Sequence, residues 1–231
     1  MKIILTGVTG YLGPEVLLQC VANERITSIV TLARRDLAPE FQNEGKITAI
    51  KVDEFGEYSD DVLEKMEGAG GCIWMMGTTP SKAVGVPMET LHKINVDWPS
   101  KSAKIFSEKL SPPDGAKFRF IYTSGFMVPG PEVLDKKMWF AEDTRKSRSW
   151  TEKYILEVEK DGRLEAVFAK PALITNGEPF LGRLSGGRWS VSIQAITAAF
   201  IDVILNGSDK QTLWNADLRE RGAIAIKKFA T

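Results

Sequence analysis

Gly7-Val-Thr-Gly-Tyr-Leu-Gly13 lies between the apolar run Lys2-Ile-Ile-Leu-Thr6 and the stretch Pro14-Glu-Val-Leu-Leu-Gln-Cys-Val-Ala22. The first run reads as a buried strand. The second reads as a helix, because its apolar positions recur at helical spacing. Glycines let the backbone turn sharply and approach a ligand, and a helix N-terminus offers unpaired N–H groups and the positive end of a dipole. A glycine turn in this setting points to a phosphate-bearing ligand, a dinucleotide in particular. The spacing is G-x-x-G-x-x-G rather than G-x-G-x-x-G. The placement between a first strand and a first helix therefore carries the reading. Thr9 is suited to hydrogen-bond within the turn or to phosphate, and Gly13 lets the helix pack closely on the sheet.

Outward from this turn, apolar β-rich runs alternate with helical stretches. Strands are expected over 2–7, 26–33, 46–51, 71–76, 117–123 and 165–171, and helices near 11–23, 58–67, 87–110, 147–161 and 192–206. Such alternation predicts an α/β fold, a doubly wound parallel sheet of the Rossmann type covered on both faces. The whole chain, 1–231, is expected to form one such domain with a small C-terminal substrate or lid region. Ligands of these sheets bind at the C-terminal ends of the strands. Two irregular stretches, 126–146 and 176–190, leave that edge and are too long for plain connectors, which suggests a lid.

Composition narrows the function classes. Lys plus Arg and Asp plus Glu are 30 each, so the chain lacks the basic footprint of a nucleic-acid binder. The two cysteines, Cys20 and Cys72, fall in an amphipathic helix and an apolar strand and read as buried thiols. One histidine and two scattered cysteines give no metal-ligand spacing, so no metal site is expected. No apolar run approaches the roughly 20 residues of a membrane span. The first strand begins at residue 2 and leaves no room for a signal peptide, so a cytoplasmic location is expected and the Asn206-Gly-Ser208 sequon is discounted.

The second strand ends Thr31-Leu-Ala-Arg34-Arg35. An acidic residue at this edge commonly binds the ribose 2′-hydroxyl of NAD, whereas arginine suits a 2′-phosphate through its planar fork of donors. NADP(H) is expected over NAD(H), with Asp36 left as a possible ribose partner.

Further pieces are Asp53-Glu54 after the third strand, Met76-Gly77-Thr78 after the fourth, Tyr122-Thr-Ser124 after the fifth and Lys170-Pro171 after the sixth. With the glycine turn and Arg34, they resemble the short-chain dehydrogenase/reductase superfamily. The similarity is to its extended or atypical branch, near NmrA-like, Tat-interacting-protein-like and sugar-epimerase-like members. The resemblance implies cofactor contacts from the turn (Gly7, Thr9, Gly10, Tyr11, Leu12 and Gly13) and from Arg34 and Arg35. It further implies that Asp53 and Glu54 hold the adenine, that Met76 and Gly77 line the adenosine ribose with Thr78 beside them as a further cofactor contact, and that Pro171 and Ile174 run along the nicotinamide.

The family's active site holds a serine or threonine and a Tyr-x-x-x-Lys pair. Residues at i and i+4 share a helix face, so the lysine sits beside the tyrosine and over the cofactor ribose. Its charge lowers the phenol pKa for proton exchange during hydride transfer. Ser124 matches the serine. The pair is degenerate: Lys153 takes the lysine position, with a cofactor contact implied, and Ser149 stands where the tyrosine would. A serine hydroxyl is a poor general acid. Three outcomes stay open: Tyr122, Tyr154 or a water supplies the proton; the chain catalyses a non-redox isomerisation, epimerisation or cyclisation; or it senses NADP(H) without turnover. Asn95 is the match for an asparagine that supports the catalytic lysine, and His92 reads as a surface or packing residue.

Trp139, Phe140, Trp150, Phe180 and Trp189 fall in or beside the two irregular stretches, as pocket lining or as a plug against the core. They favour a small apolar carbonyl or alcohol as substrate. Partners are otherwise expected to be limited to a second copy at most, with no nucleic acid and no membrane. Ile224-Ala-Ile-Lys-Lys-Phe229 is apolar enough to dock on the body or on a partner.

Overall fold

In the computed structural model, residues 1–130, 137, 141–177 and 189–229 are described. A sheet of seven parallel strands forms the centre: β1 (Lys2–Thr6), β2 (Ser28–Ala33), β3 (Ile47–Lys51), β4 (Ala69–Trp74), β5 (Phe118–Thr123), β6 (Leu164–Lys170) and, at the edge, β9 (Thr212–Trp214). The spatial order is β3-β2-β1-β4-β5-β6-β9. The order reverses beside β1, which places the switch point of a doubly wound sheet at the glycine turn. A separate parallel pair, β7 (Leu173–Thr175) and β8 (Ser190–Ser192), stands above the edge.

The strands are apolar on both sides because both faces are covered. Ile3 and Leu5 join Ile73 and Ile121 in one core cluster, while Ile4, Cys72, Trp74 and Phe120 join the other. The first cluster includes α1 (Gly13–Ala22) and α8 (Ile193–Asn206). The second includes residues of α6 (Trp98–Lys109) and α7 (Glu142–Glu159). Short helices α2 (Pro39–Gln42), α3 (Asp60–Met66), α4 (Pro80–Ala83) and α5 (Met88–His92) and the terminal α9 (Asn215–Phe229) complete the layers. Ala225 of α9 is buried, while Ile224 and Ile226 face outward. Cys20 and Cys72 are free and buried, and burial pushes both thiols up.

The expected helix over 87–110 contains a π-helical turn at Lys93–Asp97. Pro99 has no N–H to donate to the carbonyl four residues back, that of Asn95. That carbonyl accepts instead from the Thr151 hydroxyl of α7. A proline thus opens one helix and α7 fills the vacancy. Helix α7 begins earlier than the expected 147, at Glu142. Acidic Glu142 and Asp143 suit its first turn, and Glu142 pairs with Lys146 at 2.6 Å. Strands β7, β8 and β9 have three residues each, too short to show a period.

Candidate active site

The glycine turn is built as its spacing requires. Gly7 has φ +72° and its carbonyl accepts from Gly10 N–H at 2.9 Å. A Cβ on Gly7 would meet the Met75 backbone at 2.8 Å, and one on Gly13 would stand 1.9 Å from the Val8 carbonyl oxygen. The turn is therefore pressed between β4 and the start of α1, whose first residue carries no side-chain cap from Leu12. Beside it opens a cavity of about 380 Å³. Gly7, Gly10, Tyr11 and Leu12 form one wall, and Met75, Met76 and Gly77 continue it beyond β4. Thr123, Ser124 and Gly125 beyond β5 and Pro171, Ala172 and Ile174 beyond β6 line the rest.

Helix α7 closes the cavity with Thr144, Arg145 and Arg148. Thr144 and Arg148 are four residues apart and share a face. The Arg148 guanidinium donates to the carbonyls of Ser124, Thr123 (3.3 Å) and Thr78 (3.4 Å). It lies against Gly77 and Gly125, where added Cβ atoms would come within 3.4 and 3.8 Å of it. The Asn95 side chain accepts from Thr78 N–H at 2.8 Å and fixes the same loop.

One turn further along α7, Glu152 is buried behind Ser124. Ser124 Oγ donates to Glu152 Oε1 at 2.5 Å, and Lys170 Nζ lies 2.9 Å from Glu152 Oε2. The Lys170 ammonium also donates to the Val128 carbonyl at 3.1 Å and lies 5.3 Å from the Trp214 ring centroid. The Glu152 and Lys170 side chains are each 3% exposed. Burial raises the Glu152 carboxyl above its ordinary value, opposed chiefly by the Lys170 charge and the hydrogen bond from Ser124.

No family model matches the chain. A protein of Purpureocillium lilacinum, "Leucinostatins biosynthesis cluster protein T", is 32% identical over 124 residues, which are 54% of this chain and 42% of that protein. The matched stretch thus spans under half of the relative's length. Among solved structures, DesIV, a dTDP-glucose 4,6-dehydratase from Streptomyces venezuelae with NAD and TYD bound, superposes with a TM-score of 0.68. It is 11% identical, with 100% of this chain and 82% of that one covered. Vestitone reductase from alfalfa (Medicago sativa L.) superposes with a TM-score of 0.64 at 18% identity, covering 92% of this chain and 76% of its own.

The chain has the fold of DesIV and vestitone reductase, a doubly wound parallel α/β sheet.

Within that fold the structure gathers some expected site residues and disperses others. Gly7, Gly10, Tyr11, Leu12, Met76, Gly77, Ser124, Pro171 and Ile174 line one cavity. Thr9 lies on the outer side of the turn, where Arg35 Nη2 reaches its Oγ1 at 3.3 Å and its carbonyl at 3.4 Å. Arg34 turns the other way, its guanidinium 5.7 Å from the Trp98 ring centroid. Asp53 is exposed. Glu54 is engaged elsewhere: its carboxylate accepts from Lys93 Nζ at 2.7 Å and from Trp98 Nε1 at 3.3 Å, and the Lys93 hydrogen bond lowers its pKa.

The structure does not bring Ser149 and Lys153 to the cavity lining. Lys153 faces solvent, its ammonium 4.9 Å from the Trp150 ring centroid, and does not line the cavity. Ser149 is fully buried and donates to the Pro129 carbonyl at 3.0 Å. The helix face that meets the strand ends carries Thr144, Arg148 and Glu152, each four residues after the last. Neither alternative phenol reaches the cavity: Tyr122 is buried in the core, where desolvation raises its pKa, and Tyr154 stacks on Trp150 at the surface. Trp150 is on the outer face and Trp189 packs edge-on against Phe126. Trp139, Phe140 and Phe180 lie outside the described residues, as does much of both expected lid stretches. Sequence reasoning missed Arg148 and Glu152. The signal was available in Thr144-x-x-x-Arg148-x-x-x-Glu152, a polar stripe at helical spacing.

Proposed function

We propose that this protein is a short-chain dehydrogenase/reductase that binds a nicotinamide dinucleotide in the glycine turn and acts on a small carbonyl or alcohol. The observation that carries this reading is the continuity of one cavity from Gly7 and Gly10 to Ser124. The residues fit the cofactor. The turn leaves no room for side chains at Gly7 and Gly13, and Thr123 Oγ1, in the cavity wall, is buried without a hydrogen-bond partner. When bound, the dinucleotide supplies or accepts a hydride. Ser124 presents a hydroxyl to the substrate oxygen, and Arg148 fixes the Ser124 backbone and brings positive charge beside it. Leu12, Met75, Met127, Val128 and Ile174 make much of the wall apolar, which suits a substrate with an apolar body. The relative's description as a biosynthesis cluster protein is consistent with a small-metabolite substrate.

Arg35, lying across the turn at Thr9, supports NADP(H). DesIV was solved with NAD, which makes NAD(H) the competing choice. Binding of NADPH and NADH to the full chain, followed by fluorescence, tests this. Arg35→Ala is expected to weaken NADPH about tenfold, the loss of one charge-assisted contact, and to leave NADH unchanged. Equal affinities in the parent overturn the NADP reading.

One observation favours a second reading, a non-redox enzyme or a nucleotide sensor: of the four tyrosines, only Tyr11 lines the cavity. Following nicotinamide absorbance across a panel of aldehydes, ketones and alcohols separates the two. A change with any of them supports the oxidoreductase. Tight binding with no change across the panel supports the second reading.

A further inference from the structure

We infer that Ser124, Glu152 and Lys170 form a proton relay that takes the place of a tyrosine. This rests on the redox reading above. A serine hydroxyl alone neither donates nor accepts a proton readily near neutral pH. Ser124 has its partner already in place: the residue lines the cavity, and its Oγ donates to Glu152 Oε1 at 2.5 Å. Glu152 does not line the cavity, so a proton that it exchanges with a molecule bound there passes through Ser124. Lys170 holds the far oxygen of the same carboxylate at 2.9 Å and is itself held by the Val128 carbonyl and the Trp214 ring.

Burying such a pair purely for stability is a poor choice. Desolvation consumes most of the Coulomb gain, and apolar side chains of the same volume often do as well. A buried carboxylate hydrogen-bonded to a hydroxyl in a cavity wall is, in contrast, what proton transfer needs. The charged and titratable groups around Glu152 are Lys170 from β6, Arg148 from its own helix and the Tyr122 phenol from β5. The two cations stabilise the carboxylate and burial opposes it, so its affinity for a proton is adjustable between them.

In the oxidation direction, the substrate hydroxyl gives its proton to Ser124 Oγ as Ser124 gives its own to Glu152 Oε1. The substrate C–H bond breaks, its electron pair leaves as hydride to the oxidised nicotinamide dinucleotide, and the C–O bond becomes C=O. Reduction runs the same steps backwards, with Glu152 returning the proton through Ser124 to the carbonyl oxygen. Ser124 is the catalytic residue of this relay, and Glu152 and Lys170 are positioning residues that act through it.

Two measurements test the relay. Infrared difference spectra of the free full-length protein, wild type minus Glu152→Gln, assign the Glu152 carboxyl band. Where Glu152→Gln does not fold because Lys170 is left unpaired, Glu152→Gln with Lys170→Met replaces it. Ser124→Ala, which keeps the ion pair, is expected to shift that band and raise its titration midpoint. An unchanged band overturns the relay. In turnover with the panel substrate, Glu152→Gln and Ser124→Ala are each expected to lower kcat about 100-fold, with dinucleotide affinity kept. Glu152→Gln is also expected to remove one limb of the pH profile. A Glu152→Gln variant with the wild-type pH profile likewise overturns the relay. A wild type that changes no nicotinamide absorbance defeats the redox reading instead, and the infrared result still decides whether Ser124 and Glu152 are coupled.

Discussion

The Arg148 guanidinium donates to the backbone carbonyl of Ser124, so a side chain of α7 holds the end of β5 in place. The same group reaches Thr78 beyond β4 at 3.4 Å. One planar fork thus joins the ends of two neighbouring strands across the cavity floor, a span that a lysine ammonium cannot reproduce. Arg148→Lys is expected to cost about 1–3 kcal/mol, the range for leaving buried acceptors unpaired, and to weaken dinucleotide binding. Urea unfolding and a fluorescence titration measure the two effects. An Arg148→Lys variant indistinguishable from wild type in both would show that the fork is dispensable.

Gly13 offers a sharper steric test. A Cβ there would lie 1.9 Å from the Val8 carbonyl oxygen, a backbone atom that no rotamer change can move aside. Gly13→Ala is expected to push α1 away from the turn and to destabilise the fold by at least about 1–3 kcal/mol, the usual cost of overpacking. Dinucleotide binding should fall with it. Gly45→Ala, where an added Cβ meets nothing within 4 Å, is the matched control and should stay near wild type.

Lys153→Ala should do little. The side chain lies on the outer face of α7, so the change is expected to fall within about 0.5 kcal/mol of wild type, as surface substitutions do. Turnover and dinucleotide affinity should be kept. Loss of activity in this variant would restore the catalytic register first expected for the helix.

Stability should carry the mark of Glu152. Its carboxyl is raised above the ordinary 4.5 by burial, so the folded state binds this proton more tightly than the unfolded chain does. The associated stability is fully present below the unfolded value and is lost as pH rises through the folded one. The stability gap between wild type and Glu152→Gln, measured by urea unfolding, should therefore move against the wild type as pH rises from the ordinary carboxyl value through the raised folded one. A gap that moves in the wild type's favour over that range would mean that Lys170 outweighs desolvation.

The fold was legible because its signals are local. Ile3, Ile4 and Leu5 are apolar in succession since both faces of a parallel strand are covered, and Gly7 and Gly13 are required by contacts within a dozen residues of chain and at β4. The strand ends at Met76, Ser124 and Pro171 followed once the strands were placed. The helical register of α7 was not legible in the same way. Ser149 and Lys153 are as plausible a pair as Thr144 and Arg148 when only an i, i+4 spacing is considered.

Sequence by itself therefore determined the parallel sheet, the glycine turn and the edge at which chemistry belongs, because continuous apolar strand runs and glycine sterics act over short stretches. The tertiary structure alone decided which face of α7 meets that edge. That face is set by packing against β5, β6 and the turn opened by Pro99, and it buries Glu152 between Ser124 and Lys170, residues 28 and 18 positions away, while leaving Lys153 in water.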